Sequence, residues 1–129
     1  MPLTSTGRDF LARACINAPG TVFYDSANAY VGVGSSTDAF DPSQTDLQAP
    51  VEKFRKKVDA GYPVFTAPDR MVFQITLGPD EANFAIREWA VFNAPAGGTM
   101  LHREVTDTGT KQQGQSWTFR VTVDTNYLP

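Results

Sequence analysis

The sequence predicts a mainly β fold: an antiparallel β-sandwich or barrel of five to seven short strands, with one short N-terminal helix. Short apolar runs of period two recur along the chain, and turn residues separate them at regular intervals. Only the leading segment has a helical period. A chain of 129 residues can bury a core without metal or disulfide support, and it contains no linker or internal repeat. Residues 1–129 are therefore expected to form a single domain.

The leading segment predicts a helix over about residues 6–16. Residues 4–6 are threonine and serine, which are preferred N-caps, and Asn17 with the following Pro-Gly pair ends the helix. Cys15 is the only cysteine, and a free cysteine packs as a small hydrophobe. The buried face of the helix is expected to contain Phe10, Leu11, Ala14 and Cys15.

Strands are expected from about residue 28 onward. The first covers residues 28–34 and ends in glycine, after which a polar loop at 35–44 leads to a single helical turn at 46–49. Residues 51–58 suit either a helix or a strand, and we favour the strand. Clearer alternation predicts strands at 70–77 and 117–124. Further strands are expected at 83–92 and 100–105, with a polar loop at 106–115 that is able to extend from the body.

The segment 83–92 is expected to be the central strand because it is apolar on both faces. Trp89 and Val91 lie on one face of such a strand. An unpaired carboxylate is costly in an apolar face, so Glu88 needs a cation, backbone N–H groups or a subunit boundary. The face that contains Glu88 also contains Phe84, Ile86, Ala90 and Phe92.

The composition excludes several classes of protein. The chain is 41% apolar and 19% charged, which is ordinary for a globular domain. A net charge of −3 argues against a dedicated nucleic-acid binder, and no run of eighteen apolar residues is present to span a membrane. The first residues lack the basic and apolar regions of a signal peptide, so we expect synthesis in a cytoplasm.

No set of residues in the sequence predicts a reaction. His102 is the only histidine, and its charged neighbours predict a solvent-facing side chain. The count of histidines and cysteines excludes a His-rich or Cys-rich metal site. We therefore expect no catalytic residue, no metal and no cofactor. Three aspartates lack the spacing of a calcium loop and are expected to cap loops: Asp38, Asp41 and Asp46.

Four cations occupy five positions, at Lys53, Arg55, Lys56 and Lys57. One interpretation is a patch for phosphate or for an acidic protein surface. The other is a charged edge strand that discourages unwanted sheet pairing, and we favour it. Only Phe54 supplies an aromatic ring of the kind that single-strand binders interleave with their cations.

The order of segments along the chain resembles that of small virion proteins of tailed bacteriophages. Residues 83–93, Asn-Phe-Ala-Ile-Arg-Glu-Trp-Ala-Val-Phe-Asn, are similar to the NFxIxExGLF segment at the front of phage tail-collar fibre proteins. Residues 29–36 resemble the IGVG strand and hydroxyl loop of the family. The chain departs from the fibre pattern at Ala90 and Val91. Other similar segments are TGxxxL at 6–11, TDL at 45–47, the basic pair at 55–56, residues 98–103, Lys111 and residues 117–123.

This resemblance implies a non-enzymatic structural protein of a virion, made in the host bacterial cytoplasm. It would assemble in multiple copies, with trimers favoured, and dock onto neighbouring virion proteins without nucleic acid or membrane. The similarity at 83–92 favours the tail, baseplate or fibre-collar region. The small size of the chain favours the alternative, a capsid cement (decoration) protein that stabilises the lattice of the major capsid protein.

Candidate interface residues are large side chains and cations: Lys53, Arg55, Lys56, Lys57, Tyr62, Phe65, Trp89, Lys111, Tyr127 and Leu128. Two other classes of function stay open. A carbohydrate-binding module would expose Trp89 or Trp117 on a groove. A hydrolase would place His102, or two of three carboxylates, in a cleft, and those carboxylates are Asp80, Glu81 and Glu88.

Overall fold

One helix and seven strands form the regular structure of residues 3–125, which are the residues that the computed structural model describes. In chain order they are α1 (Ser5–Cys15), β1 (Tyr30–Gly34), β2 (Lys53–Lys57), β3 (Val64–Thr66), β4 (Arg70–Leu77), β5 (Glu88–Phe92), β6 (Met100–Val105) and β7 (Trp117–Asp124).

The strands form two antiparallel sheets. Sheet A has the order β2-β1-β5-β6, and sheet B has the order β3-β4-β7. Every pair of neighbouring strands is antiparallel. This architecture of two sheets and a single short helix confirms the predicted fold class of a small antiparallel sandwich.

The main core lies between the two sheets. Sheet A contributes Val31, Val33 and Val91, and sheet B contributes Phe73, Ile75, Leu77, Val121 and Val123, all of them buried. A second, smaller cluster lies on the opposite face of sheet A and contains Leu47, Ala90, Phe92 and Met100. Strand β5 is therefore covered on both faces, as its sequence predicts.

Helix α1 begins where its cap residue predicts and packs on β6. The Thr4 hydroxyl accepts a hydrogen bond from the backbone N–H of Gly7 at 2.9 Å, and it donates to the Met100 carbonyl at 2.5 Å. Gly7 is buried directly against the Leu101 carbonyl, where a Cβ atom would overlap with that oxygen. The close contact of the helix is therefore made by its first turn.

The predicted buried face of α1 is correct at three positions and wrong at one. Phe10, Leu11 and Ala14 are half-buried, but Cys15 is exposed. The reason is that the helix contacts β6 at Gly7, and Cys15 lies about two turns further along, at the end of the helix.

The central strand is shorter than predicted because the preceding residues pair with a loop. Ile86 donates to the Gly109 carbonyl at 2.9 Å and accepts from Thr108 at 3.0 Å. Lys111 likewise donates its N–H to the Phe84 carbonyl at 3.1 Å. The first half of the loop at 106–115 is consequently packed against the body and does not extend from it.

Two other local predictions differ from the structure. Residues 46–49 do not form a helical turn, because the N–H groups of Gln48 and Ala49 donate to a carboxylate of sheet A. Strand β3 was not predicted, since its three residues are all exposed and show no burial pattern. The strand favoured at 51–58 is confirmed as β2.

Candidate functional site

The most strongly polar feature of the interior is the pair formed by Glu88 of β5 and Arg103 of β6. The Arg103 Nε atom donates to Glu88 Oε1 at 2.8 Å, and both side chains are fully buried. The register of β5 and β6 sets Arg103 opposite Ala90, two residues from Glu88, so the two side chains lie on the same face of sheet A.

This pair holds the loop at 35–50 onto the outer face of sheet A. Glu88 accepts backbone N–H groups from Gln48 at 2.8 Å, Ala49 at 2.9 Å and Ser36 at 3.3 Å. The sequence predicted a cation, N–H groups or a subunit boundary for Glu88. The structure supplies the first two.

Arg103, the other member of the pair, binds the same loop through its Nη1 atom. Arg103 Nη1 donates to the Asp38 carbonyl at 3.0 Å and to Gln44 Oε1 at 3.1 Å. Its Nη2 atom is buried and has no hydrogen-bond partner among residues 3–125. The arrangement fastens a loop to a sheet and leaves neither charge exposed, so it is structural in character.

A glycine makes room for this pair. Gly34 ends β1 and lies opposite Glu88 in the register of β1 and β5. A Cβ atom at Gly34 would overlap with the Glu88 carboxylate. The glycine that ends the predicted first strand therefore has a packing reason, which is the close approach of a carboxylate to the backbone.

The sequence did not identify Arg103 as the partner of Glu88. A usable signal was present, because a buried carboxylate needs a cation at a matching position on a neighbouring strand. Arg103 lies in the middle of the predicted strand 100–105, two positions beyond the apolar pair Met100-Leu101. The pairing of that strand with β5 was the missing information.

His102 is fully buried, and the prediction of a solvent-facing side chain is wrong. It lies opposite Val91, a residue of the main core, and its backbone bridges to Leu3. Neither ring nitrogen has a hydrogen-bond partner among residues 3–125. Burial lowers the pKa of His102 from 6.5 to about 3, so the imidazole is neutral at physiological pH.

The carboxylates that a hydrolase would use each have a separate partner. Glu81 accepts from Lys56 Nζ at 2.8 Å and from the Gly78 N–H at 2.7 Å, and these hydrogen bonds lower the pKa of Glu81. Asp80 accepts from Gln113, and Glu88 binds Arg103. Within residues 3–125, no group of three or more His, Cys, Asp or Glu is placed to bind a metal ion.

Two of the loop aspartates make local hydrogen bonds of the expected kind. Asp41 accepts from the backbone N–H of Ser43 at 2.8 Å and from its hydroxyl at 2.5 Å, and these bonds lower the pKa of Asp41. Asp46 accepts from the N–H of Leu47 at 2.8 Å. Both are therefore turn residues.

The basic run lies on β2, which is an edge strand of sheet A, and its cations do not form one free patch. Lys53 and Arg55 both contact Asp46, at 3.3 Å and 3.5 Å. Lys56 extends to sheet B, where it binds Glu81 and donates to the Thr76 carbonyl at 2.6 Å. Lys57 is exposed and makes no ion pair with any described residue.

Arg55 has a structural role of its own. Its Nη1 atom donates to the carbonyls of Ala94 at 2.9 Å and Gly97 at 3.0 Å, and its guanidinium lies 3.4 Å above the centre of the Phe92 ring. These contacts join β2 to the turn between β5 and β6. Arg55 is thus a packing residue of this face.

The candidate interface residues occupy different environments. Trp89 is half-buried and packs edge-to-face on Phe119, with ring centroids 5.2 Å apart. Tyr62 is also half-buried, and Lys111 is buried with its Nζ donating to Asn83 Oδ1 at 2.7 Å. Lys111 is therefore unavailable as a surface contact. Two other candidates, Tyr127 and Leu128, lie outside the described residues.

Phe65 is the candidate with the clearest surface exposure. The register sets it opposite Met71, which in turn pairs with Val123 of the core, so Phe65 lies on the core-facing side of sheet B. It is nevertheless 73% exposed, and its neighbour Val64 is 41% exposed. The core-facing side of β3 is thus left uncovered within residues 3–125.

A cleft of about 410 Å³ separates α1 from the turn between β5 and β6. Asp9, Phe10 and Val22 contribute to its walls, and Asn93 lies at its base, where it donates to the Val22 carbonyl at 2.9 Å and accepts from the Thr99 N–H at 2.8 Å. Val22 and Phe23, beside the cleft, are each 45% exposed, and Ile16 at the end of α1 is 78% exposed.

No protein-family model matches the chain, and no curated protein has a significant match to it. No helix in residues 3–125 is long and apolar enough to cross a membrane. Neither tryptophan lines the cleft, and both Trp89 and Trp117 are half-buried against the core.

Proposed function

We propose that this protein is a non-enzymatic structural protein of a bacteriophage virion, which assembles in multiple copies and docks onto neighbouring virion proteins in the tail, baseplate or fibre-collar region. The observation that carries the proposal is a contrast between interior and surface. The buried charges of Glu88 and Arg103 hold a loop of the chain itself, while large apolar side chains remain exposed in separate places.

The first exposed apolar area lies at the end of α1. Ile16 is exposed at the C-cap of α1, Val22 and Phe23 are exposed beside the cleft, and Phe23 packs edge-to-face on Phe10 with centroids 6.4 Å apart. Contiguous exposed apolar surface is typical of protein–protein contact sites. This area is suited to contact with a neighbouring virion protein.

The second area is the open side of β3. Phe65 projects from the core-facing side of sheet B without a cover, and an aromatic ring in that position is a typical interface anchor. A rigid sandwich presents both areas at a fixed separation. Such a body holds neighbours in register and needs no catalytic group to do so.

The alternative role is a capsid cement protein. It is favoured by the exposed Lys57 and the partly exposed Lys53 on the edge strand β2, which suit an acidic surface of a capsid lattice. The two placements differ in copy number, because a cement protein is present in hundreds of copies and a tail part in a few to a few dozen.

Quantitative mass spectrometry of purified particles tests the proposal. Particles of a phage that encodes this chain are purified, and the chain is counted against the major capsid protein. We expect the chain to be present in the particles, and its copy number to separate tail from head. Its absence from purified particles would overturn the proposal.

A matched pair of variants tests the apolar contact. Phe65→Ser is expected to reduce the copies per particle several-fold, because it removes the interface anchor. Val51→Ser is the control, since Val51 is 82% exposed on the loop before β2 and lies outside both areas. Equal incorporation of the two variants would show that β3 is not a contact.

A further inference from the structure

We propose that the outer edge of β7 pairs with β7 of a second copy of this chain, so that sheet B continues across a two-fold axis. Strand β7 is the last strand of sheet B, and within residues 3–125 it pairs only with β4. The inference rests on the proposed function only in taking a second copy as the occupant. A contact of this kind joins chains in pairs, whether as two single copies or as two trimers.

The other three sheet edges are protected. Strand β2 has exposed lysines, and β3 is three residues long between Pro63 and Pro68. Strand β6 is covered by Leu3, which bridges to it, and by the first turn of α1 at Gly7. Charge, shortness, proline and a covering segment are the devices that keep an edge from pairing with another chain.

Strand β7 is neither short nor covered by another segment of residues 3–125, and its two charged residues, Arg120 and Asp124, have opposite signs. It is eight residues long, contains no proline or lysine, and is rich in β-branched and aromatic residues. Such a strand is a template for another strand wherever its outer N–H and C=O groups lack partners. Of the four edges, β7 is the one suited to sheet extension.

The direction of the backbone groups defines which residues would pair. Thr125 donates its N–H to the Asp69 carbonyl at 3.1 Å, which makes these two residues a hydrogen-bonded pair. In an antiparallel ladder such pairs alternate, so the even-numbered residues of β7 direct their N–H and C=O groups away from β4. No hydrogen bond to those groups of Thr118, Arg120 or Thr122 is present within residues 3–125.

The charges of β7 select one register of self-pairing. With Thr122 opposite Thr122 of the second copy, Arg120 lies opposite Asp124 of the second copy, and the symmetry repeats this pair. A shift of two residues in the partner sets Arg120 opposite an uncharged threonine, and a shift of four sets Arg120 opposite Arg120 of the second copy, which is unfavourable because like charges repel. The strand is therefore self-complementary around Thr122.

Both charges are on the outer face of sheet B, where Arg120 is exposed and Asp124 is half-buried. Arg120 donates to Gln74 Oε1 at 2.8 Å and 3.1 Å, and Asp124 lies 4.0 Å from Arg70. On the opposite face, Trp117 and Phe119 are only half-buried at this edge. A second copy would cover part of the Phe119 ring, which faces Thr125 of that copy in this register.

A disulfide at the two-fold axis tests the contact directly. Opposite residues of a hydrogen-bonded antiparallel pair have Cα atoms about 5.5 Å apart, which lies within disulfide range. In a Cys15→Ser background, Thr122→Cys is expected to give a covalent dimer on oxidation, seen on a non-reducing gel at twice the 14.1 kDa of the chain.

Thr118→Cys in the same background is the matched control. In the proposed register its two copies are offset by eight residues, or about 27 Å, so no disulfide is expected. The proposal would be overturned if Thr122→Cys did not cross-link. It would also be overturned if Thr118→Cys cross-linked as efficiently as Thr122→Cys.

Sedimentation of uncross-linked variants provides an independent measurement. Thr122→Pro removes an outward N–H group at a position where an edge strand tolerates proline, so it is expected to halve the mass of the assembly. Thr122→Val keeps that N–H group and is expected to keep the mass. An unchanged mass for a folded Thr122→Pro variant counts against the proposal.

Charge reversal tests the register even where the proline variant fails to fold. Arg120→Asp is expected to weaken self-association about tenfold, and the double variant Arg120→Asp/Asp124→Arg to restore most of it. Failure of the double variant to recover self-association would exclude this register.

The pairing and the proposed function can fail separately. A chain that is monomeric in solution but present in particles would overturn the pairing alone. A cross-linked dimer that is absent from particles would overturn the proposed function alone.

Discussion

Arg103 donates to Glu88 across 2.8 Å in a part of the protein where both side chains are completely buried. Four other residues of the loop at 35–50 bind one member of this pair through backbone groups, and Gln44 binds through its side chain. The pair therefore determines how the loop covers the smaller apolar cluster around Phe92. Substitution of either partner is expected to have a large effect on stability.

The first prediction concerns the carboxylate of this pair. Glu88→Gln is expected to lower the free energy of unfolding by about 3–5 kcal/mol, because it leaves the Arg103 charge buried without its counter-charge. Urea unfolding at neutral pH measures the change. Glu104→Gln is the control, since Glu104 is partly exposed on the same strand as Arg103, and a change within about 0.5 kcal/mol is expected there. Equal losses for the two variants would contradict a structural role for the pair.

The second prediction concerns the glycine beside the pair. Gly34→Ala is expected to lower the free energy of unfolding by about 1–3 kcal/mol, because the added methyl group would overlap with the Glu88 carboxylate. Gly78→Ala is the matched control, since a Cβ there meets only the end of the flexible Glu81 side chain, at 3.3 Å. Thermal or urea unfolding of both variants checks the difference. A Gly34→Ala variant as stable as Gly78→Ala would contradict the close packing.

The sequence predicted the elements of this fold better than its buried polar groups. Alternation placed β4 and β7 correctly because each has one face in the core, and the burial of Glu88 followed from its position in an apolar run. The partner of Glu88 and the burial of His102 could not be predicted. Both depend on which strands pair and on the covering of β6 by α1, and these are non-local contacts without a local pattern.

The third prediction concerns the cap of α1. Thr4→Ala is expected to lower the free energy of unfolding by about 1–2 kcal/mol, because the Thr4 hydroxyl accepts from Gly7 at 2.9 Å and also donates to Met100 of β6. Ser5→Ala serves as the comparison, since Ser5 is exposed and its side chain makes no hydrogen bond to a described residue. Urea unfolding measures both. A Thr4→Ala variant no less stable than Ser5→Ala would show that the cap is unimportant.

The fourth prediction concerns pH and His102. Burial lowers the pKa of His102 to about 3 in the folded chain, against 6.5 when unfolded, so only the unfolded chain takes up this proton between those values. The stability contributed by the neutral ring is therefore complete above pH 6.5 and falls as pH decreases, by about 2 kcal/mol between pH 7.5 and 5.0. His102→Leu removes the titrating group, so the stability of this variant is expected to lose this part of the pH dependence. The leucine side chain also lacks the two ring nitrogens that have no hydrogen-bond partner in the wild type. Urea unfolding of both proteins at the two pH values measures the difference. Parallel pH profiles for the two would contradict a buried, neutral His102.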